Sequence, residues 1–205
     1  MKLLLGIFLF SLMTACGAIN NQPHTETPKG LLRDHNSHLD ELFRHPTLKL
    51  KNYQTISINV TSVSYSDRRH SRQALLREQD FQLNEKQLAT FKTQIIKGFS
   101  RGLDLTTSDN NPDLQAIINI SDLYLNAPIS HTITKPDKFL VEESSSMLVD
   151  LEIIDKAQQL TVLKLKDRLK TGRHRTGVDN LSPMTSVSYW QDIIRAFRTL
   201  ANAAK

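Results

Sequence analysis

The chain has a single cysteine, Cys16, directly behind an apolar run from Leu3 to Met13 that is broken only by Gly6 and Ser11. With no second thiol there can be no internal disulfide, so the fold must hold by packing alone. A helix that crosses a bilayer needs about 20 consecutive apolar residues. This run is shorter, follows a single positive charge at Lys2 and stops at the small residues Thr14 and Ala15, the layout of a cleaved secretory signal over residues 1–15. Everything that folds is expected after it.

The residues Leu12-Met13-Thr14-Ala15-Cys16 resemble the bacterial lipobox, with Met13 where Leu, Val or Ile is usual. The resemblance implies diacylglycerol on the Cys16 sulfur, cleavage before Cys16 and an acyl chain on the new amino group, with no other cofactor. At about 0.8 kcal/mol per buried methylene, one chain anchors marginally and two or more anchor stably. Lipidation also accounts for an unpaired cysteine in an exported chain. Lipoproteins retained at the inner membrane commonly carry Asp after the cysteine; Gly17 stands here, so the resemblance implies the outer membrane.

Residues 16–205 suit one domain plus a tether. Apolar residues at 39% against 23% charged are enough for a core at this length. Lys2 is the only charge ahead of Cys16, so 25 of the 26 basic residues and all 21 acidic ones remain after cleavage, a net of +4. That mild excess suits anionic headgroups or glycans. Without a motif it does not argue for nucleic acid.

Residues 16–52 read as the lipidated cysteine and a flexible spacer, with Asn20, Asn21, Gln22, Pro23, Pro28 and Gly30 as its polar and breaker residues. Inside it, Leu39, Leu42 and Phe43 predict a short amphipathic helix over Ser37–Arg44, ended before Pro46. His35, His38 and His45 lie nearby, but zinc wants three or four ligands on a rigid frame. No metal is expected.

A single domain is expected over 53–205. Ile56, Ile58 and Val60 alternate with polar residues, as a half-buried strand does. A basic loop follows, with Arg68, Arg69, His70, Arg72 and Arg77. Asn84 and Gln87 then form a capping box for a helix whose apolar stripe is Leu88, Phe91, Ile95 and Phe99, with Gly102 at its end. A second strand spans Leu114–Leu125 and a long connection spans residues 126–143, of a length that is often either functional or mobile. Met147, Val149, Leu151 and Ile153 mark a third strand, Asp155 to Gln158 a hairpin turn, and Leu163, Leu165 and Leu169 the inner face of a fourth. Ser188 with Gln191 is read as the cap of a last helix carrying Trp190, Ile193, Ile194, Phe197 and Leu200. Alternating strands and one-sided helices predict an α+β two-layer sandwich: a mostly antiparallel sheet of about four strands with both helices on one face.

The outer face of the fourth strand carries Lys164, Lys166, Arg168 and Lys170 and runs on into Gly172-Arg173-His174-Arg175. Arg168, Lys170, Arg173, His174 and Arg175 are the candidate site for an anionic partner. The plainer reading is a solvated sheet face whose charges discourage edge pairing. A hydrolase acting on envelope polymers is the alternative, and it needs a nucleophile with a base or paired carboxylates. Asp150 and Glu152 share a strand face, Glu142 and Glu143 lie in a loop, and Ser144-Ser145-Ser146 lacks a Gly-x-Ser-x-Gly frame. The fold could bring His131 and His174 near Asp122 or Asp155, but nothing local requires it, so no catalytic residue is assigned and no enzyme is expected.

Four stretches together resemble a family of Gram-negative envelope lipoproteins known only as a domain of unknown function: Tyr53 to Ile58, Ile120 to Pro128, Leu151 to Asp155, and Trp190 through Phe197 to Ala201. Relatives often have Gly in the turn after the Asp155 position, where this chain has Ala157-Gln158. No activity comes with that family. The lipid anchor, the flexible spacer and the basic patch Lys164 to Arg175 lead us to expect a non-catalytic binding or accessory module of the envelope, with an unidentified envelope protein or an anionic glycan or lipid as partner.

Overall fold

The alternation that puts Leu114, Ala116, Ile118 and Ile120 on one side of their strand buries all four, and the sheet is arranged around them. The computed structural model describes residues 30–68, 81–126, 129, 139–172 and 182–205. In chain order the elements are β1 (Leu32–Arg33), β2 (Glu41–Arg44), β3 (Thr55–Tyr65), α1 (Glu85–Leu103), β4 (Thr106–Thr107), β5 (Leu114–Leu125), β6 (Phe139–Val141), β7 (Ser145–Asp155), β8 (Leu160–Thr171), β9 (Ser182–Met184) and α2 (Ser186–Ala203).

The fold is α+β, and its main sheet has seven strands in the order β1-β2-β8-β7-β5-β3-β4 rather than about four. The three additions, β1, β2 and β4, are strands of two to four residues, too short to show a period; β1 and β4 form the two edges and β2 lies between β1 and β8. The sheet is mixed. β3 pairs parallel with β5, Ile56 against Leu114, because α1 carries the chain back over the sheet between them. β7 and β8 form the expected antiparallel hairpin. The Asp155 carboxylate accepts from the Ala157 and Gln158 amides, each at 2.8 Å, and Gln159 closes the turn at φ 55°. β6 and β9 make a separate two-stranded ribbon.

Both helices cover the same face. Phe91, Ile95 and Phe99 of α1 and Tyr189, Ile193 and Phe197 of α2 join the inner-face strand residues in one core. The single Trp, Trp190, is half-buried against that core and meets the Tyr189 ring edge-on, with centroids 4.8 Å apart. The Asn84–Gln87 capping box is present, with Gln87 N–H donating to Asn84 Oδ1 at 2.9 Å and Asn84 N–H to Gln87 Oε1 at 2.8 Å. Gly102 does not end α1, which stops at Asp104 in the left-handed region. Gly98 and Gly102 instead let α2 approach: a Cβ on Gly98 would fall 2.5 Å from the Ile194 carbonyl oxygen, and one on Gly102 would fall 2.6 Å from that of Arg198. The cap of α2 is Thr185 with Ser188 three residues on, not Ser188 with Gln191.

The expected helix over residues 37–44 is replaced by β2. Leu42 lies opposite Leu165 of β8 and is 1% exposed, so packing against the sheet overrides the local helical spacing. Leu31 and Phe43 are buried as well. Arg44 ties this segment to the end of the chain, donating to the carbonyls of Ala204 at 2.7 Å and Lys205 at 3.1 Å while pairing with Asp34 at 3.0 Å. The packed part of the molecule thus begins ahead of Tyr53, within the stretch assigned to the spacer.

Candidate functional site

β3, β5 and β8 finish, and β7, α1 and α2 start, at one end of the sheet, which is its loop end. The apolar alternation of β5 slips phase at this end, from Ile118 and Ile120 to Leu123 and Leu125. The slip is a β-bulge: the register with β7 shifts between Ser121 and Tyr124, and Asp122 takes φ 53°.

The bulge turns the Asp122 carboxylate toward two guanidinium groups. Arg168 of β8 donates from Nη1 to Oδ2 at 2.5 Å, and Arg68, just beyond β3, stands at 3.6 Å from the same oxygen. Arg68 is fixed further by donating to Ser66 Oγ at 3.0 Å and Ser146 Oγ at 3.1 Å, with its guanidinium 4.6 Å from the centre of the Tyr124 ring. The Ser66 hydrogen bond, and then the one from Arg168, hold the Asp122 carboxyl below the ordinary carboxylate range. The side chains of Arg68 and Arg168 remain 52% and 44% exposed. A guanidinium has five N–H donors, so Arg168 keeps donors for a ligand.

The remainder of the basic face is interleaved with acids. Lys170 pairs with Glu143 at 3.2 Å, and Lys164 and Lys166 stand opposite Glu152 and Asp150 of β7. Strand order alone could not show this, because the acids come from the neighbouring strand. Arg173, His174 and Arg175 lie outside the described residues, as do Cys16 and residues 69–77 of the first basic loop.

Beneath the surface, a buried polar junction fixes where β8 leaves the sheet. Ser144 Oγ donates to Asp192 Oδ2 at 3.1 Å, Arg195 donates to Asp192 Oδ1 at 3.1 Å, Ser144 N–H donates to the Thr171 carbonyl at 2.6 Å, and the Ser145 and Thr171 hydroxyls are 2.8 Å apart. Gly172 sits at φ 74°, and a Cβ there would overlap Ser144 Oγ and lie 2.8 Å from Asp192 Oδ2. The wholly buried Tyr189 hydroxyl lies beside Ser145 without a hydrogen bond of good geometry, and burial pushes its pKa up. The serines considered as nucleophiles therefore point into structural bonds. His131 and His174 lie outside the described residues. His45 uses Nδ1 to accept from the Thr47 and Leu48 amides at 3.3 and 3.2 Å, and among the described residues no three His, Cys, Asp or Glu side chains gather as metal ligands.

Residue types pointed to Arg168 and Lys170 and named Asp122 only as a carboxylate that a histidine could meet, not as the residue that gathers two arginines. Its signal was the phase slip in β5.

No family model matches the chain, and no curated protein does. Among solved structures, the chain is similar to the PelC dodecamer from Paraburkholderia phytofirmans, at 8% identity and a TM-score of 0.40 over 80% of this chain and 96% of that one. It is also similar to protein XCC0632 from Xanthomonas campestris, of family DUF330, at 5% identity and a TM-score of 0.37 over 78% and 85% of the two chains. A Caulobacter crescentus protein provisionally described as a lipoprotein matches at 14% identity and a TM-score of 0.27 over 56% and 74%. At these scores the likenesses carry no argument about function. Among the described residues no helix is long and apolar enough to cross a membrane.

Proposed function

We propose that this protein is a non-catalytic binding or accessory module of the bacterial cell envelope, anchored in the outer membrane through acyl chains on Cys16, which engages an anionic envelope component at the loop end of its sheet. The observation that carries the reading is the pair of guanidinium groups, Arg68 and Arg168, gathered on the one carboxylate of Asp122. Two cations held side by side, half-exposed and with donors to spare, present a pre-organised seat for a carboxylate, phosphate or sulfate. Lys170 borders it, and Arg173, His174 and Arg175 follow it in sequence. The lipobox and the breaker-rich stretch after it support an anchor and a tether.

Two experiments test the reading. The full chain is co-sedimented with isolated envelope fragments, and the pair Arg68→Ala and Arg168→Ala is expected to cut recovery several-fold with an unchanged melting curve, since exposed charge pairs add at most about 1 kcal/mol to folding. Equal recovery would count against the site. In cells, Cys16→Ser is expected to accumulate unprocessed or to leave the membrane fraction; a processed, membrane-bound variant would remove the anchor from the account.

A further inference from the structure

At the other end of the sheet, where β8 begins and both helices end, lies a cavity of about 780 Å³. That is within the roughly 300–1,000 Å³ of small-molecule sites. Its walls include Leu48, Leu50, Leu103, Leu105, Val162 and Leu163, of which Leu50, Leu103, Val162 and Leu163 are buried core residues. Leu32 also lines it and is 62% exposed, one of three large apolar side chains exposed among the described residues.

The charges around the cavity are unbalanced. Its two carboxylates are occupied, Asp34 by Arg44 at 3.0 Å and Asp104 by Lys205. Arg33, Lys49 and Lys51 line it too, and among the described residues none of the three has a carboxylate within ion-pair distance. An apolar hollow beside three unneutralised cations matches one kind of ligand, an alkyl chain carrying an anionic head. The alkyl chain would be buried against the leucines, and the head would neutralise the lysines.

We infer that this cavity binds an amphiphile with an alkyl chain and an anionic head group, the chain against Leu103, Leu105 and Leu163 and the head at Lys49 and Lys51. The site is separate from the Arg68–Asp122–Arg168 cluster and does not depend on the function proposed for it. The described chain begins beside the cavity at Gly30, fourteen residues after Cys16. A lipid on Cys16 would therefore hold this end within about 50 Å of the bilayer.

The test uses the full chain in nanodiscs of neutral phosphatidylcholine, doped with a diazirine-bearing lysophosphatidic acid, irradiated and mapped by peptide mass spectrometry. Adducts are expected on residues 46–53 and 102–107. A diazirine fatty acid in parallel distinguishes a carboxylate head from a phosphate, and a diazirine monoacylglycerol shows what the head charge contributes. Lys49→Glu with Lys51→Glu is expected to lower labelling by about fivefold or more, and Leu105→Trp, which fills the hollow, to abolish it. The exposed lysine variant leaves folding intact, so the result can be read even if the Trp variant is unstable. Adducts scattered over the surface, or labelling unchanged by the lysine reversal, would overturn the site and leave only adsorption to the bilayer.

Discussion

Arg168 of β8 reaches over the intervening strand β7 to donate to Asp122 of β5 at 2.5 Å, joining strands that are not neighbours in the sheet. The pair is part-exposed, with side-chain accessibilities of 44% and 32%, so it places a guanidinium more than it stabilises the fold. A double-mutant cycle with Asp122→Ala and Arg168→Ala, read by urea denaturation, is expected to give a coupling of no more than about 1 kcal/mol. A much larger value would make the pair a structural element.

The contact between α1 and α2 rests on Gly98. On helix propensity alone, Gly98→Ala would stabilise by about 1 kcal/mol. The added Cβ would instead meet the Ile194 carbonyl oxygen at 2.5 Å and its Cα at 3.0 Å, both backbone atoms that cannot rotate away. The expected result is a loss of about 1–3 kcal/mol in urea denaturation, the usual cost of overpacking. The sign decides whether the helices are this close.

Leu42 tests where the fold begins. As part of a loose spacer, its replacement by Ala would change stability by no more than about 0.5 kcal/mol. As a buried residue of β2 facing Leu165, Leu42→Ala is expected to cost about 2–5 kcal/mol. A denaturant titration of the two proteins reads the difference.

The carboxyls set opposite pH dependences. The Gln158 amide, and then the Tyr53 hydroxyl at 2.7 Å, hold Asp155 below the ordinary range, as Ser66 and Arg168 hold Asp122. Between the folded and unfolded pKa values the unfolded chain binds more protons. Their contribution is therefore complete above about pH 4 and lost as pH falls through the folded values. Asp167 behaves in reverse: burial, with Asp40 nearby, pushes its carboxyl up, so its charge costs stability at neutral pH and that cost disappears below about pH 4. Asp167→Asn, which keeps an oxygen for the Asp40 amide, is expected to raise the urea midpoint at pH 7 and to leave it unchanged below about pH 4.

The elements legible in the sequence were those whose signals are local. β5 shows its alternation within twelve residues, α1 its cap at Asn84 and Gln87, and the β7–β8 hairpin its turn at Asp155. β2 was not legible, because Glu41-Leu42-Phe43-Arg44 becomes a strand only through pairing with β8 more than 100 residues away. Thr185 and Ser188 offer overlapping capping boxes, and the local sequence does not choose between them. Asp122 followed the same rule. Its phase slip was present in the sequence, but the arginines it gathers come from two other segments.

The most direct measurement is photocrosslinking in intact cells from a photoreactive residue at position 170, which borders the two arginines and leaves both in place, with a second at position 156 in the exposed hairpin turn at the far end of the sheet. One dominant adduct is expected from position 170, weakened by Arg68→Ala with Arg168→Ala, and none of that mass from position 156. The same adduct from both positions, or none from position 170, would contradict a binding surface at the loop end.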